Sequence, residues 1–583
     1  MRVYEAIGET LKKLEVRATF GLMGDGNLRF MTYLADTIGI PYYAARHEGG
    51  AVAMADGYAR VTGRVGVCSV TQGPGVTNTV TALTEARKAS TPMLLLAGDT
   101  AARILRHNQD VDQTAIFKSV GVTVARVRSP DTLMIDLSRA FNQALAMQQP
   151  IAISIPTDMQ ELPCEDDGLQ AVALQESMPS RPAPEEIRRA VELIATSKRP
   201  AIIAGRGAVR SNARKPLEHL AEQIGALLAT TAQAKGLFAG NPFYVGSSGG
   251  FAWELGERLL SQADLILAFG ASLNYWTTRN RELFAPSARI LHCDRNSAAI
   301  GALTSADFGL VGDVAATAEA LSEESAQRGF SAAGFRTPEI RQEIDSFRLD
   351  NFQDQSNGRT IDPRTLMLKL DAMLPRNRTV VIDSGHSMGW PIIYLSAPDA
   401  AGFVFSNDFM AVGLGLGTAF GAAIAHPDRL TVCTPGDGGL MMSLGELETF
   451  VRYKIPALVI VINDASYGAE VHLLKNVGLP GHGAFFRDND FAAIASASPL
   501  RSRAAHWAAR RPRWRGPSTG PGRHPGRDWA SLIDAAIIAT GVLAAVLVQA
   551  GGLDRLALPV GLAAATAAGW RLRFRVSRDT RAW

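Results

Sequence analysis

The chain has 583 residues, of which 47% are hydrophobic, 20% charged and 7% aromatic. This length suggests about three to four domains, and the composition excludes a disordered or a collagen-like chain. The formal net charge of +3 is unevenly distributed, because residues 501–583 contain 14 Arg, no Lys and four Asp, whereas residues 1–500 sum to −7. Since the net positive charge lies in the tail alone, we expect no nucleic-acid partner.

The cysteines and the N-terminus favour a cytoplasmic protein. Cys68, Cys164, Cys293 and Cys433 are far apart and include no CxxC pair, so we expect neither a disulfide framework nor a cysteine-rich zinc site. Apolar residues in the segment 1–16 recur at helical spacing among charged residues, unlike the unbroken apolar core of a signal peptide. A reducing compartment is therefore predicted.

Short runs rich in Val and Ile alternate with longer helical patterns, which predicts parallel sheets covered by helices on both faces. Strand-like runs occur near residues 65–70, 93–96, 151–155, 201–204, 265–269, 290–292, 379–383, 430–433 and 457–462. They group into three blocks, at residues 1–165, 185–325 and 360–497. The predicted fold class is therefore α/β, with three doubly wound parallel-sheet domains and an atypical tail at residues 498–583.

Loops rich in Gly, Asp, Asn and His follow the predicted strands of the third block. In open parallel sheets, ligands bind just beyond the carboxyl ends of the strands. Gly436-Asp437-Gly438 follows one predicted strand and Asn463-Asp464 follows the next. Glycines let backbone N–H groups approach a phosphate, and carboxylate oxygens suit Mg2+. Either motif alone is more commonly a simple turn, but both at successive strand ends indicate a magnesium-diphosphate site.

Two motifs of the first block indicate further chemistry. Glu48 lies between His47 and Gly49 at the start of an apolar helix, where enclosure by backbone and ligand would suit it to proton exchange near neutrality. A lone glutamate there is more commonly a solvated first-turn residue. Thr71-Gln72-Gly73-Pro74-Gly75 follows a predicted strand, and its glycines can admit a planar ring, although in isolation the motif is a turn.

At these three places the sequence resembles the thiamine-diphosphate-dependent family that includes acetolactate synthase, benzoylformate decarboxylase and pyruvate decarboxylase. The motifs occur in the family's order and spacing over residues 1 to about 497. The resemblance implies an N-terminal pyrimidine-binding domain, a central domain and a C-terminal diphosphate- and magnesium-binding domain, the last of them incomplete. It also implies a homodimer or homotetramer in which the first domain of one subunit faces the third domain of its partner.

Several residues match the family's motifs position by position. Glu48 resembles the glutamate that hydrogen-bonds the aminopyrimidine of the cofactor. Asp437, Asp464 and the backbone carbonyl of Ser466 resemble the magnesium ligands. The family often has Asn in place of Asp464, and an aspartate keeps the oxygen ligand. The implied cofactor contacts, among which Val412 or the competing Met410 supports the thiazolium ring, are Gly73, Pro74, Gly75, Gly385, His386, Met410, Val412, Gly436, Gly438, Gly439 and Tyr467.

The resemblance leaves two reaction outcomes open. Asp25 and Glu470 match acidic residues with which pyruvate-decarboxylase-like enzymes deliver the proton that releases an aldehyde. The segment 107–113 looks instead like the glutamine-bearing loop of synthase-type members, in which Gln109 would face the substrate; a solvated loop is the alternative. We expect decarboxylation of a 2-oxo acid followed by carboligation, as in acetolactate synthase, with Glu48, Glu470, Asp25 and Gln109 as catalytic residues. A non-ligating decarboxylase is the alternative.

The central block contains Gly205-Arg206-Gly207 after a predicted strand. This motif lacks the third glycine and the acidic partner of a dinucleotide fingerprint, so NAD is not expected. FAD, which some family members bind in this domain, remains a candidate cofactor.

Beyond residue 497 the sequence departs from the family. Arg-rich segments precede two apolar runs, residues 535–550 and 556–570, each shorter than the ~20 residues of a typical membrane helix. The tail is a frameshifted extension, a fused membrane hairpin or a soluble appendage, and the abrupt loss of Lys favours the first. A damaged or membrane-tethered homologue that binds cofactor without turnover is therefore a further functional alternative.

Overall fold

Three six-stranded sheets organise the described chain, and the third extends beyond its predicted block. The computed structural model describes residues 1–104, 107–165, 179–357, 360–496, 501–505 and 543–548. Strands are parallel throughout the first two sheets and in most of the third, with helices on both faces. This arrangement confirms the predicted α/β class.

The central strands of the first sheet are buried along most of their length. Its strands are β1 (Thr19–Gly21), β2 (Tyr42–Ala44), β3 (Gly66–Val70), β4 (Met93–Asp99), β5 (Thr123–Ala125) and β6 (Pro150–Pro156), in the order β2-β1-β3-β4-β6-β5. Its helices are α1 (Val3–Lys13), α2 (Leu28–Thr32), α3 (Glu48–Thr62), α4 (Pro74–Thr77), α5 (Val80–Lys88), α6 (Gln113–Ser119) and α7 (Leu133–Met147). The edge strands β2 and β5 are short and half-buried, and the hydrophobic runs did not predict them.

The central sheet has the order β12-β11-β10-β7-β8-β9. Its strands are β7 (Pro200–Ala204), β8 (Leu227–Thr230), β9 (Tyr244–Ser247), β10 (Leu265–Phe269), β11 (Arg289–Asp294) and β12 (Phe308–Val311). Its helices are α8 (Pro184–Ala195), α9 (Arg206–Arg210), α10 (Arg214–Ile224), α11 (Glu254–Ser261), α12 (Tyr275–Thr278), α13 (Val314–Gln327) and α14 (Pro338–Ser346). Helix α14 lies in the polar stretch after the block, and its Ile340 and Ile344 pack on the central core.

The third sheet has the order β14-β13-β15-β16-β18-β17. Its strands are β13 (Arg378–Ile382), β14 (Phe403–Val404), β15 (Leu430–Thr434), β16 (Ala457–Ile460), β17 (Arg501–Ala505) and β18 (Leu543–Val548). Its helices are α15 (Pro363–Met373), α16 (Gly389–Tyr394), α17 (Gly415–Ala425), α18 (Asp437–Met442), α19 (Glu446–Arg452), α20 (Gly468–Asn476) and α21 (Phe491–Ser496). Strand β18 pairs antiparallel with β16 and β17. The tail thus supplies two strands, of which β17 forms the edge, to a sheet that was expected to end near residue 497.

Helices α3 and α17 join the first and third domains. Small residues let the two backbones approach closely: a Cβ at Gly421 would lie 1.9 Å from the carbonyl oxygen of Met54, and a Cβ at Gly57 would lie 2.2 Å from that of Thr418. The ring of Phe420 packs against that of Tyr43 with centroids 5.5 Å apart. The two domains therefore share one hydrophobic core, which includes residues of both sheets.

No helix among the described residues is long and apolar enough to cross a membrane. The apolar runs at residues 535–550 and 556–570 lie outside the described residues, except for the part of the first run that forms β18. The three interpretations of the tail therefore stay predictions.

Candidate active site

Asp437 and Asp464 lie together at the carboxyl edge of the third sheet. Asp437 is the first residue of α18, directly after β15, and Asp464 follows the neighbouring strand β16. Oδ1 of Asp437 accepts a hydrogen bond from the Gly438 N–H at 2.9 Å, whereas its buried Oδ2 has no partner among the described residues. Burial, and next the charge of Asp464, raise the pKa of Asp437 to about 7. Two close, desolvated carboxylates are suited to a divalent cation.

The loop after β16 places Ser466 beside Asp464. The N–H of Ser466 donates to Oδ1 of Asp464 at 3.1 Å, and Ser466 itself is buried. Backbone hydrogen bonds from Tyr467 and to Ala465 fix this loop against residues 484–486. Neither of these two bonds uses the carbonyl of Ser466, which leaves it available as the predicted metal ligand.

Gly385, Gly438 and Gly439 form a glycine cradle beside these carboxylates. A Cβ at Gly438 would lie 2.9 Å from the ring of Tyr467, and one at Gly439 would lie 2.2 Å from Oδ2 of Asp383. Gly385 has a φ of 106°, which favours glycine, and no atom lies within 4 Å of the position of its missing Cβ. Packing explains the close contacts at Gly438 and Gly439, whereas the space at Gly385 and the unpartnered Oδ2 of Asp437 fit a magnesium-bound diphosphate.

His386 presents an uncharged imidazole to the same region. Its buried Nε2 has no hydrogen-bond partner within the described part of the chain. The ring lies 4.4 Å from that of His472 and 5.8 Å from that of Trp390, centroid to centroid. Burial, and next the nearby His472, lower the pKa of His386 to about 4, so the ring is neutral at physiological pH. A neutral ring can hydrogen-bond an anionic ligand without adding a buried charge.

The segment before α17 carries the two candidates for the thiazolium support. Val412 is half-buried, and its Cγ1 would lie 3.2 Å from a Cβ at Gly439, close to the glycine cradle. Met410 has a φ of 59° and is 47% exposed, so it lies at the surface rather than in the core. Asp383, which sequence reasoning missed, accepts the N–H of Gly413 at 3.0 Å and thereby fixes the end of this segment. Burial raises the pKa of Asp383 to about 6.

Glu48 is buried at the start of α3. Its Oε2 accepts a hydrogen bond from the side chain of Asn78 at 2.9 Å, and a Cβ at Gly75 would lie 3.6 Å from its Oε1. Glu446 of the third domain accepts the N–H groups of Arg46 and His47 at 3.1 and 3.2 Å, which anchors the first turn of the helix. The solvated alternative for Glu48 is therefore wrong.

The loops that contain Gly73 and Gln109 contact each other. The N–H of Gly73 donates to the buried Gln113 at 3.0 Å, and a Cβ at Gly73 would lie 2.4 Å from the carbonyl oxygen of Gln109. The amide of Gln72 donates to Oε1 of Gln109 at 2.8 Å, and the N–H of Gln109 donates to His107 at 3.1 Å. Gln109 is thus tied to the Gly73 loop, and the solvated-loop alternative does not describe it.

Two predicted acids lie on the surface. Asp25 is exposed, in a turn whose next residue, Gly26, packs against Gln72. Glu470 is exposed in the first turn of α20, close in sequence to Tyr467, which packs on Phe486. Within the described residues, the side-chain hydrogen bonds of Glu48 and Gln109 stay inside the first domain. The structure therefore brings the predicted residues together as two separate groups, one in the first domain and one in the third.

The glycines of the central Gly205-Arg206-Gly207 motif are explained by packing. Cβ atoms at Gly205 and Gly207 would lie 2.2 and 2.6 Å from the backbone of Gly270. Close approach of the loop that follows β10 therefore requires these glycines, without any nucleotide phosphate.

Comparison with known proteins decides the family. Residues 1–116, 187–321 and 383–506 match, in turn, the N-terminal TPP binding, central and C-terminal TPP binding domains of thiamine pyrophosphate enzymes. The chain belongs to this family. It is 28% identical over 488 residues to a probable acetolactate synthase large subunit of Methanococcus aeolicus, covering 80% of each chain. It is 28% identical over 497 residues to a sulfoacetaldehyde acetyltransferase of Alcaligenes xylosoxydans xylosoxydans, covering 80% of this chain and 81% of that protein.

In this thiamine pyrophosphate enzyme, Asp464→Asn is expected to stabilise the metal-free protein above neutral pH. An acid whose folded pKa is raised stabilises the fold while protonated and loses that contribution as pH rises through the folded value. For Asp437 this contribution falls as pH rises from the unfolded pKa toward the folded value of about 7, and removing the charge of Asp464 makes the loss smaller. With EDTA, the variant should melt about 2–4 °C higher than wild type at about pH 8 and equally near pH 5. Equal melting temperatures at both pH values would contradict this prediction.

Proposed function

We propose that the chain is a thiamine-diphosphate- and magnesium-dependent enzyme that decarboxylates a 2-oxo acid and ligates the remaining acyl unit to a second carbonyl compound, as an acetolactate synthase does. The observation that carries this proposal is the unpartnered, buried Oδ2 of Asp437 beside Asp464 and the glycine cradle. The names of the relatives, acetolactate synthases and an acetyltransferase, support transfer of an acyl unit.

The residues of the third domain would bind and orient the cofactor. Asp437, Asp464 and the carbonyl of Ser466 would hold Mg2+, which offsets the charge of both carboxylates and of the diphosphate. Bound thiamine diphosphate supplies an electron sink for the pair released on decarboxylation. Val412 and Met410 would support its thiazolium ring from the 408–413 segment.

The residues of the first domain would manage protons and substrate. Glu48, held by Asn78, would exchange a proton with the aminopyrimidine ring. Gly73, Pro74 and Gly75 would leave room for that ring. The side-chain oxygen of Gln109 already accepts a hydrogen bond from Gln72, so Gln109 would offer its side-chain N–H groups to the substrate. We further propose that, as the family resemblance implies, the two groups of residues complete one site where two subunits of a homodimer or homotetramer meet. We also propose that the protein is cytoplasmic.

A non-ligating decarboxylase is the second candidate, because Asp25 and Glu470 are exposed acids that can deliver a proton. Excess proton delivery releases an aldehyde before a second carbonyl compound can react. Gln109 offers an amide and no proton of comparable acidity, which favours ligation.

Product analysis with pyruvate and a range of other 2-oxo acids tests the proposal. The purified full-length protein, given thiamine diphosphate and Mg2+, should release carbon dioxide and form a 2-hydroxy ketone product, a 2-hydroxy-2-methyl-3-oxo acid when pyruvate is both donor and acceptor. Aldehyde as the sole product would refute the ligation and favour the second candidate. Cofactor-dependent thermal stabilisation without carbon dioxide from any 2-oxo acid would indicate a homologue that binds cofactor without turnover.

A further inference from the structure

An ion cluster is buried where the three domains meet. Its centre is Arg60, in the last turn of α3, whose side chain is 5% exposed. The guanidinium donates to Asp56 at 2.8 Å, to Glu85 at 2.9 Å and to Asp408 at 3.1 Å. Asp408 belongs to the third domain and also pairs with Arg206 of the central domain at 3.6 Å. The cluster therefore links side chains of all three domains.

Glu85 holds the backbone of the segment that follows β14. Its carboxylate accepts the N–H of Asp408 at 2.8 Å and the N–H of Phe409 at 2.6 Å. With the guanidinium of Arg60, these donors give the buried carboxylate three hydrogen bonds. A carboxylate that binds two successive N–H groups fixes the direction of the chain there. Since Glu85 lies in α5 of the first domain, this part of the third domain is oriented by a neighbouring domain.

The held segment leads directly to the proposed cofactor contacts. Phe409 is followed by Met410, whose left-handed backbone is strained for a non-glycine residue, and then by Val412. At the far end of the segment, Asp383 accepts the N–H of Gly413. Residues 408–413 are therefore held by a carboxylate at each end, and the exposed bend between them carries both thiazolium-support candidates. Releasing one end would let the strained bend relax.

We propose that Glu85 is a positioning residue, which sets the conformation of residues 408–413 and thereby the affinity of the chain for thiamine diphosphate. This inference rests on the proposed function. Arg60 offsets the charge of Glu85, so that the carboxylate stays available to both N–H groups despite its burial. The side chain of Glu85 itself contacts neither cofactor nor substrate.

If the cluster only joined the domains, a substitution that disrupts it would lower the stability of the protein without changing the cofactor affinity of the folded protein. Measurements of cofactor affinity and of melting temperature therefore distinguish a positioning role from a role in joining the domains. Glu85→Gln keeps the side-chain shape but leaves one N–H group of the segment without an acceptor. Asp136→Asn is the matched control, because Asp136 is also a buried carboxylate that accepts an arginine side chain at 2.7 Å and a backbone N–H at 3.1 Å, both from Arg128.

Isothermal titration of the full-length protein with thiamine diphosphate at saturating Mg2+ measures the affinity without any turnover. Glu85→Gln should weaken cofactor binding about tenfold, the effect expected of one buried hydrogen bond left unmade. Asp136→Asn should lower the melting temperature and leave the affinity at the wild-type value. Wild-type affinity in a folded Glu85→Gln protein would overturn the inference.

If Glu85→Gln does not fold, Asp408→Asn provides the second test, because it weakens the cluster from the third-domain side. It should weaken cofactor binding about threefold, a smaller effect because both N–H groups keep their acceptor. Unchanged affinity in that variant would overturn the inference. Absence of thiamine diphosphate binding to the wild-type chain would instead refute the proposed function itself.

Discussion

Glu48→Gln is expected to abolish turnover while leaving magnesium-dependent cofactor binding largely intact. The substitution keeps the size of the side chain and its place beside Asn78, but it removes the group that can exchange a proton with the aminopyrimidine ring. Loss of a general acid-base group typically costs about 10²–10⁴-fold in rate. Carbon dioxide release from the 2-oxo acid that serves the wild-type enzyme measures the rate, and isothermal titration measures the binding.

Glu185→Gln is the matched control for this experiment. Glu185 also lies in the first turn of a helix, α8, but it is exposed and pairs only with the surface residue Arg188 among the described ion pairs. Its loss should change neither rate nor affinity. A Glu48→Gln enzyme with the wild-type rate would refute the proposed role, whereas loss of both rate and binding would indicate that Glu48 acts mainly in cofactor binding.

Asp437→Asn is expected to remove magnesium-dependent cofactor binding. Asp437 is the first residue of α18 and supplies the unpartnered oxygen of the site, so the substitution would replace the charged oxygen of the proposed principal metal ligand by a neutral amide. Substitution of residues that only support metal ligands costs about 10–100-fold in affinity, and we expect the loss of a direct ligand to exceed that range. Titration of the metal-free protein with Mg2+ at saturating thiamine diphosphate measures the effect.

Asp464→Asn is the internal comparison, because the family often has Asn at this position, where its amide oxygen can serve as the ligand. We expect that variant to bind Mg2+ more weakly than wild type but far better than Asp437→Asn. Equal affinities for both variants would contradict the assignment of Asp437 as the principal ligand. Retention of Mg2+ binding by Asp437→Asn at the wild-type level would place the metal elsewhere.

Much of the fold could be predicted from local patterns. Strands such as β4 and β10 are buried on both faces, so their side chains form unbroken apolar runs that are visible in the sequence. The short edge strand β14 has only two residues and leaves no such run. Helix α14 was missed because one exposed face gives it a polar composition that is typical of a linker.

The candidate site residues that could be predicted from the sequence are those that come soon after a strand. Asp437 and Asp464 come just after β15 and β16, and adjacent parallel strands end at the same edge of a sheet. Asp383 also follows a strand, β13, and that position could have drawn attention to it. Asn78 and Glu446 gave no local signal, since each acts on a helix start that is far away in the sequence.

The sequence by itself determined the class of fold, the order of the three domains and the residue types available at each strand end, because burial and turn chemistry act over a few neighbouring residues. Only the tertiary structure decided which side chains hold those residues in place. Glu85 binds the backbone of Asp408 across 323 positions of the chain, and Glu446 binds that of Arg46 across 400. Such contacts depend on how complete domains pack, and no short-range pattern in the sequence records them.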